Sequence, residues 1–208
     1  MQAQLGRVLP VVLHPSPLLR AVCLPVTDYA AHAQLFEDLR ASAAAHGGLG
    51  LAAPQVGSHL RAFALLEPQC WTEEGINTVR SAPPRRFRPP FRSGGRRGAG
   101  SFVACINPRI LRSSQATRVG MEACLSLPSA PALVRRAHSI AVAYEDEQGR
   151  AVERELSGLP AVVFQHEVDH LEGVLLIDKQ EALPRGGEDD ALQSASRDFR
   201  RQLALFYE

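Results

Sequence analysis

The most constraining segment of this chain is LPAVVFQHEVDHLEG at 159–173, which sets His166, Glu167, Asp169 and His170 inside an otherwise apolar run. Pro160 suits the first turn of a helix and Gly173 its end. On a helix, residues four apart share a face with Cβ atoms about 5 to 6 Å apart, so two imidazoles can grip one metal ion. Glu167, beside them, can take a proton from the water such an ion activates. Val162, Val163, Phe164 and Leu171 make the helix too apolar to lie open on a surface, so its polar residues need interior partners. Any fold of this chain has to wrap that helix and bring at least one more ligand to it.

A catalytic centre of this type takes three protein ligands and keeps a fourth position open. The pattern HExxHxxGxxH is matched at Gly173, but its third histidine position holds Leu176, which excludes that class of metalloprotease. A site completed by a downstream acid would draw on Glu181 or Glu188, around the loop LPRGG. Cys124, set among small and apolar residues in MEACLSLP, is the better candidate, its alternative role being that of a buried structural thiol.

With 208 residues, 45% of them hydrophobic, the chain suits one domain with a real core, here taken as 1–208. Its 23 basic and 22 acidic residues nearly cancel, so the surface as a whole does not attract DNA or anionic lipid. No apolar run approaches the roughly 20 residues that span a bilayer, and the chain reads as cytoplasmic. Four cysteines without CxxC spacing read as free thiols rather than a disulfide framework.

The first helix is expected from Thr27 or Asp28, either of which can cap it, to about His46, where Gly47 and Gly48 stop it. GGLGLAAPQVG at 47–57 reads as a loop or sheet-edge backbone that something approaches closely. Strands are expected at 60–66, 102–107, 115–121, 132–145 and 150–157, the last two around the turn DEQG. A second amphipathic helix is expected in the tail, from about Glu188 to Tyr207. The fold class is therefore α+β, with antiparallel strands around a central helix carrying the two histidines and with N-terminal and C-terminal helices. Between Glu67 and Ser101 the composition shifts: seven arginines lie between Arg80 and Arg97, with no acid from Gly75 to Ser101. That stretch reads as an exposed insertion, or as a basic arm whose Phe87 and Phe91 could stack on RNA.

Three segments in this order, GLGLAAPQ at 48–55, EACLS at 122–126 and QHEVDH at 165–170, resemble the signature motifs of the peptide deformylases, as do the flanking HPSPLLR, ALVRRA and LEGVLLID. The resemblance implies removal of the formyl group from the N-terminal formylmethionine of new polypeptides. It implies one divalent ion, Fe(II) first and Zn(II) or another as substitutes, held by Cys124, His166 and His170. Glu167 would move the proton, while the Gln55 amide and the Leu125 backbone N–H would receive the oxyanion. Leu49 and Gly50 would pair with the N-formylmethionyl peptide, and Leu125, Phe164 and His166 are candidates for its methionine pocket. Because the family acts on chains leaving the ribosome, the basic arm suggests a transient ribosome contact. Where the resemblance expects glycine before the cysteine, this chain has Ala123, a substrate-groove residue whose methyl either strains the backbone or crowds the peptide and so weakens activity.

Overall fold

The computed structural model describes residues 5–67 and 101–181. The expected tail helix and residues 68–100 of the basic stretch lie outside them.

The capping side chain of Asp28 accepts from the Ala31 N–H at 2.9 Å and starts helix α1, Tyr29–Ala45, which ends ahead of Gly47 as expected. The strand segments form a five-stranded antiparallel sheet in the order β1-β2-β3-β6-β7. These are β1 Gly50–Ala52, β2 Ala62–Leu66, β3 Phe102–Ser113, β6 Ser139–Glu145 and β7 Ala151–Ser157. A separate hairpin joins β4, Thr117–Cys124, to β5, Leu127–Ala137. Helix α2, Leu159–Leu171, carries the HEVDH residues.

Strand β2, AFALL, shows no polar alternation because both its faces are covered. Ala62, Ala64 and Leu66 pack with Phe36 and Leu39 of α1, whereas Phe63 and Leu65 pack with Phe164 and Leu171 of α2. Phe63 and Phe164 meet edge to face, with ring centroids 5.0 Å apart. α2 is thereby held with one side against the sheet and the other toward the β4–β5 hairpin. Its end is fixed by Gly173, at φ +69°, where a Cβ would lie 2.4 Å from the Arg20 carbonyl oxygen. No residue but glycine fits that position.

Two expected boundaries are corrected. The run at 132–145 is not one strand: it breaks at His138, whose N–H goes to Ala116 and whose carbonyl accepts from Gly158, and its halves belong to different sheets. The strand expected at 115–121 runs on to Cys124, through a register shift between Glu122 and Cys124. That irregularity sits directly at the candidate site, a common use of bulges. Within the five-stranded sheet, Leu66 at the end of β2 pairs with Phe102 at the start of β3 and the Glu67 N–H reaches the Ser101 carbonyl, so the basic stretch is inserted between two adjacent strand ends. Among the described residues, no helix is long and apolar enough to cross a membrane.

Candidate metal centre

Cys124 at the end of β4 and His166 and His170 on α2 come together: one ligand atom from each lies within 4.8 Å of the others. Donors on one tetrahedral ion stand roughly 3.5 Å apart, and one thiolate with two imidazoles is a donor set for Fe(II) or Zn(II). Cys124 Sγ and His170 Nε2 are 3.2 Å apart. Small side-chain adjustments bring this trio onto one ion, so the residues present fit the group. Among the described residues, no other cluster of histidines, cysteines and acids has this form.

The ligands are held from behind by charged groups. Glu122, two residues before the cysteine, accepts from His166 Nδ1 at 2.8 Å, leaving Nε2 of that ring for a metal. Both Glu122 oxygens accept from the Arg136 guanidinium, at 2.8 and 3.0 Å, and Arg136 also reaches Asp169, which pairs in turn with Lys179. Arg136 is 3% exposed, so this network replaces the water that both its charge and that of Glu122 would otherwise require. Burial opposes the Glu122 carboxylate, but His166 and Arg136 outweigh it and hold the pKa down at about 2. Burial is the largest influence that takes Glu167 the other way, up to about 7, with the Glu122 and Asp169 charges adding and His166 and Arg136 opposing.

Gln55 follows β1 in a short 3-10 turn, Ala53–Val56, and is buried. Its Oε1 accepts from the Ala52 N–H at 2.8 Å, which turns its NH2 group toward Ser126 Oγ, at 3.2 Å, and Cys124 Sγ, at 3.6 Å. The amide therefore points its donors at the metal trio. The N-terminal segment braces both partners from outside: the Val12 N–H bonds the Gln55 carbonyl and the His14 N–H the Ser126 carbonyl. Leu125 lies in the tight turn between β4 and β5, its side chain packed on the α1 side of the core.

Gly50 stands against Glu167, where a Cβ would lie 2.5 Å from Oε1. The Leu49 carbonyl is already taken by the Leu66 N–H, and the Ala52 N–H points away from β2 to Gln55. By strand alternation Gly50 also turns its N–H and carbonyl to the open edge of β1. Ala123 is exposed and has no left-handed backbone, since Asn107 is the only non-glycine residue with positive φ among those described. Of the two costs expected for its methyl, strain is thereby removed.

Other expected residues lie elsewhere. Phe164 is fully buried against Phe63 and cannot line a substrate pocket. Glu181 pairs with Arg135 at 3.0 Å and is not part of the metal cluster, and Glu188 lies outside the described residues. Cys23 and Cys105 are buried free thiols whose pKa values burial pushes up. Sequence reasoning missed Glu122, Arg136 and Ser126 as supports of the site. The available signal was that Glu122 and Ser126 each stand two residues from Cys124.

The polypeptide deformylase family model matches residues 8–185. Peptide deformylase 3 of Streptomyces avermitilis is 35% identical over 179 residues, covering 85% of this chain and 73% of the relative. The Thermus thermophilus peptide deformylase is 36% identical over 173 residues, covering 83% and 82%. Among solved structures, peptide deformylase from Thermotoga maritima superposes with TM-score 0.67 at 31% identity, over 85% of this chain and 100% of that one. A class I type b peptide deformylase from Acinetobacter baumannii with Met-Ala-Ser bound gives TM-score 0.65 at 29% identity, over 84% and 99%. Similarity of this extent, carried over most of both lengths, makes the chain a member of the polypeptide deformylase family, hydrolases acting on formylmethionyl peptides.

Proposed function

We propose that this chain removes the N-formyl group from the N-terminal formylmethionine of new polypeptides, in the cytoplasm, as a single catalytic domain using one divalent ion. The observation that carries the reading is the convergence of Cys124, His166 and His170 beside a buried Glu167, with the Gln55 amide directed at the same point. The three ligands would hold Fe(II), or Zn(II) in its place, which supplies an activated water and polarises the formyl carbonyl. The neutral-range carboxyl of Glu167 takes the proton from the attacking water and passes it to the leaving nitrogen, which departs as a free amino terminus. Gln55 Nε2 and the Leu125 backbone N–H donate to the oxygen that gains charge at the formyl carbon. The open edge of β1 at Gly50 pairs with the peptide backbone, and Ala123 borders the same groove. Met-Ala-Ser, bound by the Acinetobacter baumannii relative, is what deformylation of formyl-Met-Ala-Ser would leave.

The test is formate release from formyl-Met-Ala-Ser by protein purified anaerobically and loaded with Fe(II), since a thiolate-ligated ferrous site is open to oxidation. Release that disappears in Glu167→Ala supports the proposal; no release from protein holding its full complement of metal refutes it. Cys124→Ala should lose the metal, whereas a site completed by a downstream acid would retain it. The arginine-rich stretch is proposed to touch ribosomal RNA, which unchanged ribosome co-sedimentation at low salt after deleting residues 75–98 would rule out.

A further inference from the structure

Helix α1 carries polar residues four apart, Gln34, Asp38, Ser42 and, at its C-cap, His46, a spacing that sets them in one row. Asp38 and Ser42 are buried, so each needs a partner in the interior. The partners are main-chain groups of the N-terminal segment, taken at alternate residues. Gln34 Nε2 donates to the Leu5 carbonyl at 3.4 Å, the Arg7 N–H to Asp38 Oδ1 at 2.7 Å and the Leu9 N–H to Ser42 Oγ at 2.9 Å. His46 Nε2 donates to the Leu9 carbonyl at 2.9 Å. Two residues of extended chain span about 6.6 Å and four residues of helix about 6 Å, so the two rows stay in step. Gly6 lets the backbones touch: a Cβ there would lie 2.3 Å from the Glu37 carbonyl oxygen.

The same segment then reaches the site. Pro10 fixes its own φ and keeps Leu9 extended, which leaves little slack before Val12. The Val12 N–H bonds the Gln55 carbonyl at 2.8 Å and the His14 N–H the Ser126 carbonyl at 2.9 Å, while the Val12 side chain packs with Cys124 and Leu127. Gln55 bears the amide aimed at the metal trio, and Ser126 directly follows Leu125. One segment thus ties α1 to both oxyanion donors.

We propose that residues 5–14 form a strap that fixes the two oxyanion donors relative to each other, with Gly6 and Ser42 as positioning residues for the reaction. The inference rests on the deformylase reading and adds to it how the Gln55 amide and the Leu125 N–H are held on one oxygen. The test uses Gly6→Ala, which pushes the strap off α1 without backbone strain, and Ser42→Ala, which removes the acceptor of the Leu9 N–H. Each is made in the full-length Fe(II)-loaded protein and again together with Gln55→Ala. For formyl-Met-Ala-Ser, kcat should fall about tenfold, a part of the roughly 100-fold that a 1 Å misplacement costs, with KM within about twofold and metal content unchanged. On top of Gln55→Ala the same substitution should cost at most about threefold, because changes acting through one group are not additive. A strap that only stabilises the fold would lower Tm and leave kcat of the folded protein intact, and that result overturns the inference. An equal loss of kcat with and without Gln55 overturns it too. If one variant does not fold, the other decides. Hydrogen exchange supplies a readout apart from activity: both variants should speed exchange in the Ala53–Val56 turn and in the turn between β4 and β5, and leave α2 unchanged. If the wild type releases no formate, the deformylase reading is what fails, and this exchange pattern then decides the strap. Faster exchange confined to the two turns supports it; unchanged exchange there, or faster exchange throughout the chain, overturns it.

Discussion

Gly50→Ala tests the juxtaposition on which proton transfer depends. The added Cβ would lie 2.5 Å from Glu167 Oε1 and 2.8 Å from both Cδ and Cγ. Were only the carboxylate oxygen in the way, a rotation at the end of the side chain would relieve it. The contact with Cγ closes that route, because relief then needs the buried side chain of Glu167 to shift from its base. Backbone conformation is not an obstacle, since Gly50 is not among the positive-φ glycines. The overlap therefore either stays, costing about 1 to 3 kcal/mol, or is relieved by moving Glu167. A displacement near 1 Å at a reacting group costs about 100-fold. The expected result is a drop of about that size in kcat/KM for formyl-Met-Ala-Ser, measured by coupled formate detection. Tm should fall by about 3 °C for each kcal/mol left unrelieved. Metal content by elemental analysis should not change, because the three ligands are untouched. Wild-type kcat/KM together with wild-type Tm would refute the reasoning, since the methyl would then have met nothing of consequence.

Glu122→Gln removes the carboxylate charge and turns one of its two acceptor oxygens into a donor, so that His166 Nδ1 and the buried Arg136 can no longer both be satisfied; metal affinity by chelator competition should weaken about 10- to 100-fold, with a stability loss of about 3 kcal/mol. Gln55→Ala should lower kcat about 100- to 1,000-fold while KM moves little, and an equal effect on KM would assign Gln55 to ground-state binding. At a distance from the site, burial works against the Asp38 carboxylate, but the hydrogen bonds from Arg7 and Gln34 hold its pKa below the ordinary value. A carboxyl depressed in the folded state stabilises above its unfolded pKa and ceases to as pH falls through the folded one. Asp38→Asn should therefore show its full Tm deficit at neutral pH and a closing gap in acid; a gap that widens in acid would contradict the assignment.

Local chemistry legible in the sequence determined a good deal. Asp28 capping α1, Gly173 ending α2 and the DEQG turn between β6 and β7 are short-range choices among backbone conformations, decided by side chains within a few residues. The two-histidine pair was legible for the same reason, since a spacing of four is a helix property and needs no knowledge of the fold. The break at His138 was not, because no glycine or proline marks it and the strand changes sheets only where Ala116 and Gly158 take up its backbone groups. Phe164 could not be sorted from the pocket residues while the side of α2 facing Phe63 was unknown. That Glu122 reaches His166 and that Arg136 returns along β5 to hold it are contacts between residues distant along the chain. Only the packing of the β4–β5 hairpin against α2 decided them, because burying charge forces partners to be found in space and sequence proximity does not say which.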